Sequence, residues 1–195
     1  ALAAAGCATD VPRASEPAVK PAAAAPAAGS ARSILWVGNS FFYYNNSMHG
    51  HVRNLAQGMS PRVDVRGVSL TISGSGIDWH DLQSYLRPDS IGRYSFVGDN
   101  EIRFNPPGRQ FDAVMMMDCS QCPVHPQLKS VFFEQMKHHA NTVRKYGTKP
   151  VFFMSWAYAD APEMTAQLAN AYTTAGNDSD AFVIPAGLAF AKAIE

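Results

Sequence analysis

The stretch that decides the fold is residues 34–41, ILWVGNSF. Its first four residues form a continuous apolar run, which is typical of a strand covered on both faces. The Gly-Asn-Ser turn that follows would place a serine side chain at the edge of a sheet, where the next helix N-terminus could stabilise an oxyanion. Gly38 would permit a sharp turn, and Asn39 would tolerate left-handed geometry. The alternative is a plain helix-capping Asn-Ser turn.

Predicted strands and helices alternate along the rest of the chain. Residues 93–97 and 101–104 are predicted to pair as a hairpin. The alternation predicts a three-layer α/β/α sandwich with a parallel, about five-stranded, flavodoxin-like sheet. Ligands of such sheets gather at the carboxyl ends of the strands. Strands are predicted at 34–37, 63–72, 111–117, 151–156 and 182–184, and helices at 48–59, 78–86, 127–146, 162–175 and 185–195.

Composition favours one folded domain and excludes strongly charged partners. The 195 residues are 47% hydrophobic, which suffices for one core. The 16 basic residues balance the 16 acidic residues, so we expect no nucleic-acid partner. No stretch reaches the roughly 18 apolar residues of a membrane-spanning helix.

The N-terminus resembles the end of a bacterial lipoprotein signal peptide. Small residues lead into Gly6-Cys7, as in a lipobox. The resemblance implies that Cys7 is lipidated and anchors the protein in a bacterial cell envelope, in the periplasm or at the outer membrane. Residues 8–33, rich in Ala and Pro, are expected to form a disordered linker. The alternative is an Ala-rich disordered tail that carries an accidental Cys.

Three blocks of sequence, in order, resemble the SGNH, or GDSL-like, serine hydrolases. Residues 34–46 resemble the first block of a subgroup in which Gly-Asp-Ser appears as Gly-Asn-Ser-Phe, with a YNN-like stretch after it. Residues 74–80 resemble the second block and residues 111–123 the third. The resemblance spans residues 34–195 and implies that Ser40 is the catalytic nucleophile. It also implies an oxyanion hole formed by the backbone N–H groups of Ser40 and Gly74, with help from Ser120 or Gln121.

Two features depart from the family pattern. Met117-Asp118-Cys119 stands where polar amides are expected, and Met cannot donate to an oxyanion. The family also takes its base from an Asp-x-x-His element before the final helix, and the sequence contains none. A serine without a base is a weak nucleophile. We therefore expect either a domain that is truncated at its C-terminus or a non-catalytic relative. None of the six histidines is an obvious substitute, and His138 and His139 are expected to be solvated.

The predicted function is a serine esterase or deacylase that uses no metal and no cofactor. Its substrate would be a small-molecule or glycan ester, such as a carbohydrate O-acyl ester. The first alternative is a non-catalytic, ligand-binding surface lipoprotein with the same fold. The second is a thiol–disulfide protein, because Cys119-Ser120-Gln121-Cys122 imitates a thioredoxin-type redox motif. A structural disulfide, or two buried thiols, is the plainer interpretation of the two cysteines.

Overall fold

The computed structural model describes residues 31–194. The predicted lipobox at Cys7, and all but the last three residues of the predicted linker, lie outside the described residues. No helix among residues 31–194 is long and apolar enough to cross a membrane. The strands are β1 Ser33–Gly38, β2 Arg66–Thr71, β3 Tyr94–Gly98, β4 Glu101–Phe104, β5 Ala113–Met116, β6 Lys149–Phe153 and β7 Phe182–Ile184. The helices are α1 Ser40–Tyr43, α2 Met48–Gln57, α3 Leu82–Leu86, α4 Lys129–Lys145, α5 Met164–Asp178 and α6 Ala186–Ala193.

Five of the strands form one parallel sheet in the order β2-β1-β5-β6-β7. Numbered within the sheet, this order is 2-1-3-4-5, the flavodoxin-like arrangement. The predicted fold class is therefore confirmed. Strand β1 lies between β2 and β5, so its carboxyl end is flanked by two other strand ends.

Helices cover both faces of this sheet, which explains the continuous apolar run of β1. Leu35 and Val37 point into a core shared with α3, α4 and α5. Ile34 and Trp36 point into a second core, shared with α1 and α2 and with the start of α6. Because successive strand residues face opposite sides, a strand covered on both faces needs apolar residues throughout.

Two of the predicted elements take a different form in the structure. The predicted helix at 78–86 is split into a 3₁₀ turn, Ile77–Trp79, and α3. The split occurs because the Asp81 carboxylate accepts a hydrogen bond from the Ser84 N–H at 3.1 Å and so caps a new helix. The predicted strand at 63–72 is shorter and begins at Arg66. The predicted hairpin is confirmed as the antiparallel pair β3–β4.

Candidate active site

The residues predicted to form the site lie just beyond the carboxyl ends of three adjacent strands. Ser40 follows β1, Gly74 follows β2, and Ser120 and Gln121 follow β5. In an open parallel sheet this edge is where ligands bind.

Gly38 is required because other groups approach it closely, and not because the backbone turns sharply there. A Cβ at this position would lie 3.1 Å from the Met117 carbonyl oxygen and 3.1 Å from the Phe42 ring. Asn39 has φ −126°, so its backbone is extended and the expected left-handed geometry is wrong. The extended conformation has a cause, since the Asn39 side chain accepts a hydrogen bond from the Phe41 N–H and caps α1.

Asn39 also connects all three loops of the site. Its side-chain Nδ2 donates to the Ser75 carbonyl at 3.0 Å and to the Asp118 carbonyl at 3.2 Å. Only 4% of the residue is exposed. An amide side chain offers both an acceptor and two donors, so one buried Asn satisfies three partners at once. The capping alternative and the site interpretation are therefore compatible at this residue.

Two backbone N–H groups at this edge are left without an internal acceptor. Within residues 31–194, neither the Ser40 N–H nor the Gly74 N–H donates a hydrogen bond to another protein group. Gly74 is exposed and has φ +71°, a conformation that favours glycine. The helix α1 is a single turn of four residues, so individual amides, and not a helix N-terminus, are the donors available to an anion.

Of the two predicted side-chain donors, Ser120 is held in place and Gln121 is not. The Ser120 and Tyr158 hydroxyl groups share a hydrogen bond. Gln121 is exposed, and its side chain makes no hydrogen bond within the described part of the chain. Both residues lie between Cys119 and Cys122, which form a disulfide.

Asp118 is a buried acid at the centre of the site, and sequence reasoning assigned it no role. It is 2% exposed. Its Oδ1 accepts hydrogen bonds from the Ile77 N–H at 2.8 Å and the Cys119 N–H at 2.7 Å. Burial raises the pKa of Asp118 to about 6, against the opposing effect of those two hydrogen bonds. A signal was present in the sequence, because an acid directly after a buried strand must lie at the sheet edge.

Two of the six histidines are buried beneath the site. His80 Nε2 donates to the Gly38 carbonyl at 3.0 Å, and the Tyr85 hydroxyl lies 3.4 Å from His80 Nδ1. His139 Nε2 donates to the Ile77 carbonyl at 3.1 Å, so the expectation that His139 is solvated is wrong.

Burial lowers the pKa of both buried histidines, to about 4 for His139. Both rings are therefore neutral at pH 7 and hold backbone groups in place. No histidine of the described residues forms a hydrogen bond with Ser40.

The one group of possible metal ligands found among the described residues is Asp118, Cys119 and Cys122. Their ligand atoms lie within 4.8 Å of one another. Metals bind cysteine as the thiolate, and both sulfurs are tied up in the disulfide. In this state the group does not fit a metal ion.

Aromatic rings form a wall beside the nucleophile turn. The Phe41 ring lies 4.5 Å from the Trp156 ring, measured between centroids, and Trp156 lies 4.6 Å from Phe190. Phe41 directly follows Ser40 in the chain, and Phe190 is 45% exposed. The wall therefore begins at the residue after the predicted nucleophile and is partly open to solvent.

Solved structures share this fold. A structure of TesA has a TM-score of 0.53 at 14% identity, covering 78% of this chain and 77% of that one. AlinE4, an SGNH-hydrolase family esterase, has a TM-score of 0.53 at 13% identity, covering 82% and 78%. The psychrotrophic esterase EstA from Pseudoalteromonas sp. has a TM-score of 0.51 at 9% identity, covering 78% and 76%. The chain has the SGNH-hydrolase fold.

The SGNH-hydrolase fold is what these likenesses establish, since all three identities are low. No family model matches the chain, and no curated protein matches it. The activity must therefore be argued from the residues that this chain places on the fold.

Proposed function

We propose that this protein is a serine ester hydrolase with Ser40 as its nucleophile. The observation that carries the proposal is the half-exposed Ser40, placed directly after β1 at the same sheet edge as Gly74, with the backbone N–H groups of both residues unbonded within residues 31–194. A nucleophile beside free, preorganised donors is what acyl transfer requires. The esterase neighbours on the same fold support the proposal.

The proposed reaction begins with attack of the Ser40 Oγ on the ester carbonyl carbon. The carbonyl oxygen becomes an oxyanion, which the N–H groups of Ser40 and Gly74 stabilise. The Ser120 hydroxyl supplies a third donor, oriented by its hydrogen bond with Tyr158. Donors aimed at the developing charge contribute most of their effect in the transition state. Gln121 is a weaker candidate because nothing in the described residues orients its side chain.

The reaction also requires a base that removes the Ser40 proton. The family resemblance implies a histidine oriented by an aspartate, and the six histidines of the sequence include none in an Asp-x-x-His element. His80 cannot serve from its present position, since its ring nitrogens face Gly38 and Tyr85.

We propose a carbohydrate O-acyl ester as the substrate class. The wall of Phe41, Trp156 and Phe190 begins at the residue after Ser40 and offers aromatic surface. Binding sites commonly combine such surface with a few oriented polar groups. The rings would hold the sugar or the acyl chain while the ester carbonyl reaches Ser40. We further propose a lipid anchor at Cys7 and a location in the bacterial cell envelope, where acylated glycans occur.

A fluorophosphonate probe tests the nucleophile directly, because it reacts with activated serines. We expect the full-length protein to be labelled and the Ser40→Ala variant to lose labelling. The variant should also lose hydrolysis of p-nitrophenyl acetate by at least about 10³-fold, as expected for loss of a nucleophile. Ser130→Ala is the matched control, because Ser130 is an exposed serine at the start of α4.

Equal labelling of the wild type and Ser40→Ala would contradict the proposal. So would the absence of both labelling and hydrolysis in folded full-length protein. The second outcome would favour the alternative of a ligand-binding protein with a hydrolase fold.

A further inference from the structure

The disulfide between Cys119 and Cys122 is poorly suited to a structural role. It joins residues that are three apart in the chain. A disulfide stabilises a fold mainly by restricting the unfolded chain, and this effect is smallest for short loops. The bond also lies at the ligand-binding edge of the sheet, directly after β5. A short disulfide loop at this edge is therefore better placed for chemistry than for stabilising the fold.

The two sulfurs are not equivalent. Cys119 is half-exposed, whereas Cys122 is 9% exposed. The Cys122 backbone N–H donates to the Cys119 Sγ at 3.0 Å. A donor directed at a sulfur favours the thiolate over the thiol. When the bond opens, Cys119 is thus both the more accessible sulfur and the one stabilised as a thiolate.

Asp118 places a proton acceptor beside both sulfurs. One of its carboxylate oxygens lies within 4.8 Å of each Sγ, a separation that one water can bridge. Burial raises the pKa of Asp118 to about 6. The carboxyl group is therefore ionised at neutral pH, and its pKa is close enough to neutral for it to accept and release a proton. The other ionisable groups that act on it are Asp78, which raises its pKa further, and Tyr172, whose hydroxyl accepts from the Asp118 N–H.

We propose that Cys119, Cys122 and Asp118 form a thiol–disulfide exchange site, in which Cys119 reacts with external thiols and disulfides and Asp118 moves the proton of Cys122. The co-reactant is a small thiol–disulfide couple of the glutathione type. This activity does not depend on ester hydrolysis at Ser40.

In the oxidising direction, the Cys119 thiolate attacks glutathione disulfide. A bond forms between the Cys119 Sγ and one glutathione sulfur, and the other glutathione leaves as a thiolate. Asp118 then takes the proton of Cys122, whose thiolate attacks the Cys119 Sγ and releases the second glutathione. The protein loses two electrons and glutathione disulfide gains them. Asp118 passes the Cys122 proton to the second glutathione as it leaves, and the first glutathione thiolate takes from solvent the proton that Cys119 lost when it ionised.

The test follows reoxidation of the reduced full-length chain by glutathione disulfide, with acid quenching, alkylation of free thiols and mass spectrometry. Every sample carries Cys7→Ser, so that Cys119 and Cys122 are the only thiols that can be alkylated or form an adduct. We expect Cys122→Ser to accumulate a mixed disulfide on Cys119. The matched variant Cys119→Ser should form the corresponding adduct on the buried Cys122 roughly tenfold more slowly or worse.

Asp118→Asn tests the proton transfer. Both hydrogen bonds to Asp118 reach Oδ1, which Asn retains, so this variant preserves the loop. We expect the mixed disulfide of Asp118→Asn to persist roughly tenfold longer than in the Cys7→Ser parent. The increase of the resolution rate through pH 6 should also disappear.

Equal adduct rates in the two single-cysteine variants would overturn the role of Cys119. An unchanged pH profile in Asp118→Asn would overturn the role of Asp118. A disulfide that does not re-form in the parent at any pH would overturn the exchange site altogether.

Discussion

At the scale of single residues, the structure gives Asp118 a role in the site that the sequence did not indicate. In the sequence it is part of a departure from the family pattern. In the structure it accepts the Ile77 and Cys119 N–H groups, and its carbonyl accepts from Asn39. It therefore joins the loops after β1, β2 and β5 while carrying a charge that burial disfavours. Asp118 therefore holds the three segments together, but burying its charge lowers the free energy of unfolding.

We predict that Asp118→Asn stabilises the protein at pH 7. The pKa of Asp118 is raised from its ordinary 3.8 to about 6 in the folded state. The folded state therefore favours the protonated acid. This preference adds about 3 kcal/mol to the free energy of unfolding below pH 3.8, and the contribution is lost as the pH rises through 6. The neutral Asn avoids this loss. Urea unfolding between pH 4 and 8 should show a flatter pH profile for the variant.

Asp112→Asn is the control, because the pKa of Asp112 is shifted in the opposite direction and the variant should change stability with the opposite sign. Burial alone would raise the pKa of Asp112, but hydrogen bonds from Arg32 and Ser33 outweigh it and lower the pKa. Stability from this group is present above its ordinary pKa and lost as pH falls, so the control variant should be less stable than wild type at pH 7. A destabilised Asp118→Asn at pH 7 would contradict the prediction.

At the scale of elements, the β3–β4 hairpin is held to the domain through polar anchors. Its aromatic residues are exposed, Phe96 by 73% and Phe104 by 62%, so burial of β3 and β4 contributes little. Asn105 instead donates from Nδ2 to the Gly92 carbonyl at 2.7 Å and to the Ser95 hydroxyl at 3.1 Å. From β2, Arg66 Nη1 donates to the Ser95 hydroxyl of β3 at 3.5 Å and so ties the hairpin to the sheet.

We predict that Asn105→Ala loosens the hairpin without unfolding the sheet. The variant leaves the Gly92 carbonyl without this donor. It also removes both hydrogen bonds with Ser95, the one that Asn105 donates and the one that the Ser95 hydroxyl donates to Asn105 Oδ1 at 3.2 Å. Together these losses should reduce local stability by about 1–3 kcal/mol. Hydrogen exchange should accelerate across residues 94–104 and stay unchanged in α4. Asn141→Ala, at an exposed position on α4, is the control. Uniform acceleration in both the hairpin and α4 would show that the anchor is not local.

At the scale of the whole molecule, all five sheet strands are parallel and both sheet faces are covered. Leu35 and Trp36 are adjacent in β1 and enter different cores. The carboxyl ends of the strands are thereby left as the open edge for chemistry. The lipid anchor that we propose at Cys7 would tether this domain to a membrane.

We predict that protein isolated from its native cells begins at Cys7 and carries a lipid on that residue. Lipobox-like residues before a cysteine are processed to a lipidated N-terminus, and a lipidated chain partitions with membranes. Mass spectrometry of the N-terminal peptide measures this directly, and Cys7→Ser should abolish the lipid. A mature N-terminus at another residue, or an unmodified Cys7, would refute the prediction.

Much of the fold could be predicted because strands buried on both faces leave a strong pattern. The run before Gly38 and the run before Asp118 are apolar, and both form interior strands of the sheet. Helix boundaries were harder to predict from the sequence, because local capping residues such as Asp81 decide where a helix begins. Cys119 and Cys122 were visible in the sequence, but whether they were bonded was not.

The candidate oxyanion residues came from the family resemblance and stay a prediction. The sequence by itself determined the class of the fold and the position of Ser40 directly after a buried strand. These follow from short-range patterns of apolar residues and turn residues, which act along the chain. Only the tertiary structure decided that Asn39 binds two other loops, that His139 is buried and that Asp118 lies beside both sulfurs. Such contacts depend on which strand ends become neighbours, a long-range property that spacing along the chain does not encode.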